Sequence, residues 1–390
     1  MMINNVFSIP VHEKTEVVID QIINFKHFCP ECVIVLHISR GFDFEHSFHS
    51  RKEFLSILKT FDNVFVNPTS LDTQWAEIIQ THVSNFKYIS TVTDFNYFIL
   101  SASNELFVRR MPDDFTKNYD VGNDDKVFLE LTNWAWYEHF KADIYLLRIL
   151  EYFNATLNDV RKSQIEGSFY RREIFADIVR VIDHFYNFDR ISKERRIICP
   201  REEIYYSTIA HLLNKNLRNA GKLITFAAWD RPDMLPTMED INEVIAGKKN
   251  DACSIKRVMR DFNDLMRFHI GSTIGKYRQQ SVDAVRSRCL KKFLNLFNLT
   301  SGKRRFFIGH KQHEDFIKHY FKIKPYENYM SFTENDDVIF LDDVLKSMYN
   351  NSDALFVICT PMYPMALNTL QRAGFREDVN FIDGWFLLEN

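Results

Sequence analysis

The chain is short of the residues that punctuate a backbone. It has 11 Gly and 10 Pro in 390 residues. That excludes collagen-like, linker-rich and low-complexity classes, which need turns or breaks at high density. Cys is scarce as well. Six of them are too few for a disulfide framework, and the thiols are expected to be reduced. No sign of charge dominates: 49 Lys+Arg stand against 52 Asp+Glu, a net charge of −3. A nucleic-acid binder would show a strongly basic domain, so nucleic acid is not an expected partner. No apolar run approaches the roughly 20 residues of a membrane helix; the most apolar stretches are Tyr97–Ala102 and Phe356–Leu367. The opening segment lacks a basic stretch followed by an apolar one, so no signal peptide is expected. What is present is core material: 46% hydrophobic residues, with 36 Phe.

Periodicity divides the chain. Val6–Val11, Val33–Ile38, Val64–Val66 and Tyr97–Ser101 read as strands. Lys14–Phe28, Phe54–Leu58 and Trp75–Val83 read as helices between them. Near-continuous apolar strands alternating with helices predict a mostly parallel sheet covered on both faces. From Leu129 to Leu213 the pattern is mainly helical, clearest at Asp143–Phe153 and Glu173–Phe185. Lys222–Ala228 reads as a strand ending in a Trp-Asp-Arg-Pro loop. A break at Leu299–Arg304 sets the expected domains at 1–300 and 301–390. The second repeats strand–helix alternation over Phe306–Ile308, Gln312–Tyr320, Val338–Leu341, Asp342–Tyr349, Ala354–Cys359, Pro364–Ala373 and Val379–Ile382, with Val338–Leu341 read as a strand.

Several constellations have plain readings. Cys29-Pro30-Glu31-Cys32 follows a helix and precedes a strand. A redox pair needs the reverse order, with a helix N-terminus lowering the thiolate pKa. A tight turn between helix and strand is expected instead. His310 and His313 lack obvious further metal ligands and do not form an HExxH pattern. Ile308-Gly309-His310-Lys311 follows a strand but lacks the glycines of a dinucleotide turn. The two carboxylates in Cys199-Pro-Arg-Glu202-Glu203 open a helix at Ile204–Leu213, where acidic residues suit the dipole. Lys256 and Arg257 are adjacent cations that suit a solvated face or a diphosphate clamp.

Taken in order, these segments resemble the core-2/I-branching glycosyltransferase family, which includes the peptide O-xylosyltransferases, in its bacterial-type members. The resemblance covers roughly residues 6–270. Val11-His12 and His37-Ile-Ser39-Arg40 are similar to the family's first strand and its "HVD" strand end. Tyr97-Phe-Ile-Leu-Ser101-Ala-Ser-Asn104 is similar to "LSG-x-D". Pro200-Arg-Glu202-Glu203 through Thr208 is similar to "P-D-E-x-x-x-x-T". Phe226 through Pro232, then Thr237 and Asp240, then Ser254-Ile-Lys256-Arg257 is similar to a late block ending in "F-A-R-K". The chain departs from the pattern at Ser39, Ala102, Asn104 and Glu202, which leaves the donor sugar the most open point.

The resemblance implies a GT-A-like nucleotide-sugar transferase domain with a helical insertion, followed by a small Rossmann-like α/β lobe. It implies transfer with inversion from a UDP-sugar, with N-acetylglucosamine the leading donor, to a hydroxyl of a glycan acceptor, without a divalent metal or other cofactor. That agrees with the lack of a DxD pair at a strand end, since Asp113-Asp114 and Asp124-Asp125 lie in polar loops. It places the general base at Glu203 and donor contacts at His12, Ser39, Arg40, Asn104, Lys256 and Arg257. The implied setting is cytoplasmic synthesis of a bacterial surface polysaccharide, with peripheral association at the inner face of the membrane allowed. Two alternatives stay open: a non-catalytic scaffold of a polysaccharide assembly complex, and a transferase of a different nucleotide sugar.

Overall fold

The computed structural model describes residues 3–12, 14–45, 47–73, 78–112, 114–186, 199–231, 234–260, 262, 264–277, 304–311, 314–320, 323, 328–332, 337–351, 353–359, 370–371, 373–376 and 379–384. They form two compact units, Met1–Phe262 with His269–Tyr277, and Asn263–Phe268 with Arg278–Asn390. Of the break expected at Leu299–Arg304, only Arg304 lies within the described residues.

The first unit begins with β1 (Ile3–Val11), α1 (Thr15–Phe28), β2 (Val33–Ile38), α2 (Arg51–Leu58), β3 (Val64–Val66), α3 (Ile79–Val92) and β4 (Phe95–Leu100). The four strands pair in parallel. The sheet then takes two antiparallel neighbours, to give the order β3-β2-β1-β4-β9-β6, with β6 at Val121–Gly122 and β9 at Phe169–Arg171. The structure is thus mixed α/β on a mostly parallel sheet. The helix expected from Trp75 starts at Ile79 instead, and residues 74–77 lie outside the described residues.

Successive strand residues feed opposite faces, as a pleated strand requires. Val6, Val33, Val35, Phe98 and Leu100 join one core with α3, α6 (Arg172–Phe185) and α7 (Glu202–Leu213). Phe7, Ile9, Ile34, Leu36 and Ile99 join the other with α1 and α2. The abundant Phe fills both. Phe7, Phe25 and Phe107 meet edge-on, with centroids 4.8–5.7 Å apart, a favoured aromatic geometry. α6 needs only one apolar stripe, Phe175, Ile178, Val179 and Ile182, at helical spacing.

A smaller sheet, β10-β11-β5, joins Thr225–Phe226, Ser254–Lys256 and Glu105–Phe107. β7 (Lys126–Val127) and β8 (Arg161–Lys162) form a short ribbon. α4 (Tyr137–Lys141), α5 (Ile144–Tyr152) and α8 (Met238–Ile245) complete the labelled elements of this unit.

The second unit holds a parallel sheet of order β13-β12-β14-β15, from Asn328–Phe332, Arg305–His310, Leu355–Cys359 and Phe381–Asp383. Its helices include α9 (Glu314–Tyr320) and α10 (Asp337–Asn350). The strand expected at Val338–Leu341 is the start of α10. Its apolar run continues into Val344, Leu345 and Met348, and the longer pattern has helical period. Most of the expected segment Pro364–Ala373 lies outside the described residues. Among the described residues no helix is long and apolar enough to cross a membrane.

Candidate functional site

Strand order sets the place of the site. β1 leads through α1 to β2 on one side, and α3 leads to β4 on the other, so the order in which strands are added reverses between the parallel neighbours β1 and β4. Open α/β sheets take their ligands outside the carboxyl ends of the strands at such a switch point. A cleft of about 780 Å³ lies there. Pro10 and His12 line it from the end of β1, and Ala102, Ser103 and Asn104 from the end of β4. Glu202 and Glu203 enter from the start of α7, and Val258 to Arg260 extend the rim after Lys256 and Arg257.

Of the seven residues expected from the sequence, His12, Asn104, Glu203, Lys256 and Arg257 therefore meet in one cleft. Ser39 and Arg40 are not among its lining residues. Ser39 is buried at the end of β2, donating its backbone N–H to Val11 at 3.0 Å. Arg40 is exposed and paired with Asp72 at 2.9 Å.

Each wall has a specific support. Lys256 ends β11, which pairs antiparallel with β5 so that Lys256 faces Glu105. The buried Glu105 carboxylate accepts from Ser101 Oγ and Ser254 Oγ, both at 2.7 Å, from Ala102 N–H at 3.3 Å, and from Thr225 Oγ1. Burial pushes its carboxyl pKa up, and those donors oppose the shift. One buried group thus ties the end of β4 to β10 and β11. Arg257 follows at φ 68°. The left-handed region costs a non-glycine residue roughly 1–2 kcal/mol, and strain of this kind concentrates at functional sites.

Trp229 forms a shelf for both cations. Lys256 Nζ lies 4.9 Å and the Arg257 guanidinium 4.8 Å from its ring centroid. The indole N–H donates to Gln164 Oε1. The loop carrying Trp229 is pinned by Arg231, which pairs with Asp240. Asp240 also closes a capping box with Thr237 at the start of α8. Burial opposes the Asp240 charge, but the bonds from Arg231 and Thr237 prevail and hold its pKa at about 2. The Thr237/Asp240 motif is therefore a staple for the Trp229 loop.

On the facing wall Glu203 pairs with Lys162 Nζ at 2.8 Å, and Lys162 sits 5.0 Å over the Trp134 ring. Thr208 and Ser207 explain the spacing of that motif. Thr208 Oγ1 accepts from Arg161 N–H at 3.0 Å and contacts Arg161 O at the same distance. Ser207 Oγ donates to Arg161 O at 2.8 Å. The helix that carries Glu203 is thereby fixed to the strand that carries Lys162. Glu202, 5% exposed, has its Oε2 buried without a partner.

Sequence reasoning missed Lys162, Glu166, Trp134 and Trp136 as lining or supporting residues. Glu166 pairs with Lys256 at 2.6 Å. The available signal was a polar Lys-Ser-Gln-Ile-Glu run just before an apolar strand. Cys29 and Cys32 form the expected turn, with Cys32 N–H donating to Cys29 O at 3.0 Å. Both are buried, and burial pushes both thiols up, Cys32 to about 12. Among the described residues no group of three or more His, Cys, Asp or Glu is placed to hold a metal; His313 lies outside them.

The fold and cleft together define an α/β protein with a switch-point site lined by paired carboxylates, cations and tryptophans. Comparison with protein-family models and with curated proteins gives no match for this chain.

Proposed function

We propose that this chain is an inverting glycosyltransferase that moves a sugar from a nucleoside diphosphate sugar, UDP-linked by the resemblance, to a hydroxyl of a glycan. The first unit is then the GT-A-like catalytic domain and the second an appended Rossmann-like lobe. One observation carries the reading: residues as far apart in sequence as His12, Asn104, Glu203, Lys256 and Arg257 converge on one cleft at the β1/β4 switch point.

The chemistry follows from the two walls. The acceptor hydroxyl attacks the anomeric carbon while Glu203 takes its proton. The bond to the nucleoside diphosphate breaks with its electron pair leaving on the phosphate oxygen. Lys256 and Arg257 stabilise that developing charge, the larger contribution in reactions of this type. Among the described residues no carboxylate pairs with Arg257, whereas Lys256 is held by Glu166. Arg257 is thus the cation ready for a phosphate, and Lys256 the one that exchanges partners. Trp134, Trp136 and Trp229 give the cleft flat apolar walls suited to sugar rings.

The test is calorimetry of UDP and uridine with wild type, Lys256→Ala and Arg257→Ala. Loss of one charge-assisted contact, worth roughly 1.5–3 kcal/mol, weakens UDP binding about 10–150-fold. Uridine, which lacks phosphate, keeps its affinity. Equal UDP affinity in all three proteins rejects the assignment and favours a non-catalytic scaffold. In the same assay, transfer is expected to persist in EDTA; loss restored by Mn²⁺ rejects the metal-independent mechanism.

A further inference from the structure

The cleft brings three carboxyl groups, Glu166, Glu202 and Glu203, together with the cations Lys256 and Arg257, with Arg260 at the rim and Lys162 behind Glu203. Two pairs form, Lys256 with Glu166 at 2.6 Å and Lys162 with Glu203 at 2.8 Å. Of the groups inside the rim, Glu202 and Arg257 are in neither pair, and among the described residues they do not pair with each other. Glu202 is 5% exposed and its Oε2 has no hydrogen-bond partner. Among the described residues, the titratable groups that act on it include Glu203 and Tyr206 on its own helix, Glu166 from the loop before β9, and Lys256 from β11. The only cation among these is already held by a carboxylate. An ionised, unpaired and buried carboxylate is costly, and such a group takes up a proton instead.

We infer that Glu202 rests as a neutral carboxylic acid, and that its neutrality spares the cleft a third negative charge, so that Arg257, which no carboxylate holds among the described residues, gives the cleft its affinity for a polyphosphate anion. Naming that anion as the diphosphate of a sugar nucleotide rests on the proposed function; the charge argument does not. Burial pushes the Glu202 carboxyl up, and a hydrogen bond from its own backbone N–H resists. The charges of Glu203 and Glu166 add to the push and Lys256 pulls back, leaving a pKa of about 8. Above that pH the cleft gains a third negative charge close to Lys256, and its hold on an anion weakens. Two adjacent helical carboxyls then have different tasks, one ionised and paired, the other protonated, a division that environment alone can impose.

The experiment uses the full chain with inorganic pyrophosphate as probe, by calorimetry at about pH 7 and about pH 9.5, on wild type and Glu202→Gln. Glutamine keeps the shape of the neutral acid and cannot ionise. At the lower pH the two proteins should bind alike. At the higher pH wild type should lose about tenfold more affinity than the variant, a difference of ~1.4 kcal/mol; the variant cancels the probe's own titration. Carbon-13 NMR of glutamate carboxyls gives a ligand-free readout. A wild-type glutamate should titrate near pH 8 rather than near the ordinary value of about 4.3, and its signal should vanish in Glu202→Gln or move in Glu202→Asp. The inference is overturned if no glutamate titrates above about pH 6.5, or if wild type and Glu202→Gln share one pH dependence. UDP-sugar turnover measured alongside keeps the questions apart: no turnover with the expected pyrophosphate behaviour removes the proposed function and leaves Glu202 as inferred.

Discussion

Glu203 and Arg257 carry the sharpest tests at the level of single residues. Glu203→Gln keeps shape and removes basicity, so turnover should fall about 10²–10⁴-fold while UDP affinity holds; a variant within threefold of wild type sinks the base assignment. Arg257 holds a left-handed backbone conformation that glycine adopts without steric cost. Arg257→Gly should therefore be more stable than Arg257→Ala by about 1 kcal/mol, although both lose the cation and bind UDP equally weakly. Urea denaturation separates the two variants. Two buried histidines set an acid limit. Burial lowers His82 to a pKa of about 3, with nearby His37 adding to the effect, and lowers His37 to about 4. Their unfolded pKa is about 6.5, so the unfolded chain binds the proton more readily. The stability they contribute is complete above that value and declines as pH falls from about 6.5 towards the folded values. Urea midpoints measured from about pH 7 down to about pH 4 should fall, and His82→Gln should flatten the slope.

For the elements, the question is what holds the cleft walls in place. α7 carries Glu203 and is fixed through Thr208 to the backbone of β8, which carries Lys162. Thr208→Val keeps the shape but leaves the half-buried Arg161 N–H without its acceptor. That should cost about 1–3 kcal/mol and lower turnover, while UDP affinity, which depends on the opposite wall, stays within about twofold. A drop in UDP affinity equal to the drop in turnover would show that the two walls are not independent. The α1–β2 turn offers a separate check. Cys29 and Cys32 are buried with raised thiol pKa values, and the thiolate is the reactive form. Neither should be alkylated by iodoacetamide in the native protein at neutral pH; fast labelling of Cys32 would reject the buried turn.

The whole molecule consists of two units with separate cores, one pair of clusters around the β1–β4 sheet and another around β12 and β14. Every residue lining the cleft belongs to the first unit. Scanning calorimetry should show two transitions, and UDP should raise only one of them, since a ligand stabilises the unit that binds it by RT ln(1 + [L]/Kd). A single transition, or an equal shift of both, would mean that the units unfold together.

The sequence by itself determined the strands at Val6–Val11, Val33–Ile38 and Tyr97–Leu100 and the helices α1 and α2, because period and apolar run length are local properties of the chain. It also marked Glu203, Lys256 and Arg257 through local patterns. It misread Val338–Leu341, where four apolar residues suit strand or helix and only the continuation into Met348 decides. Tertiary structure alone decided that Lys256 meets Glu166, that Glu203 meets Lys162, and that both cations rest on Trp229. Those pairs join residues 90, 41 and about 30 positions apart or cross between sheets, and no local pattern encodes which charge ends beside which. The protonation of Glu202 belongs to the same class: a second carboxylate at a helix start is unremarkable in the sequence, and only its burial beside two already paired carboxylates makes it different.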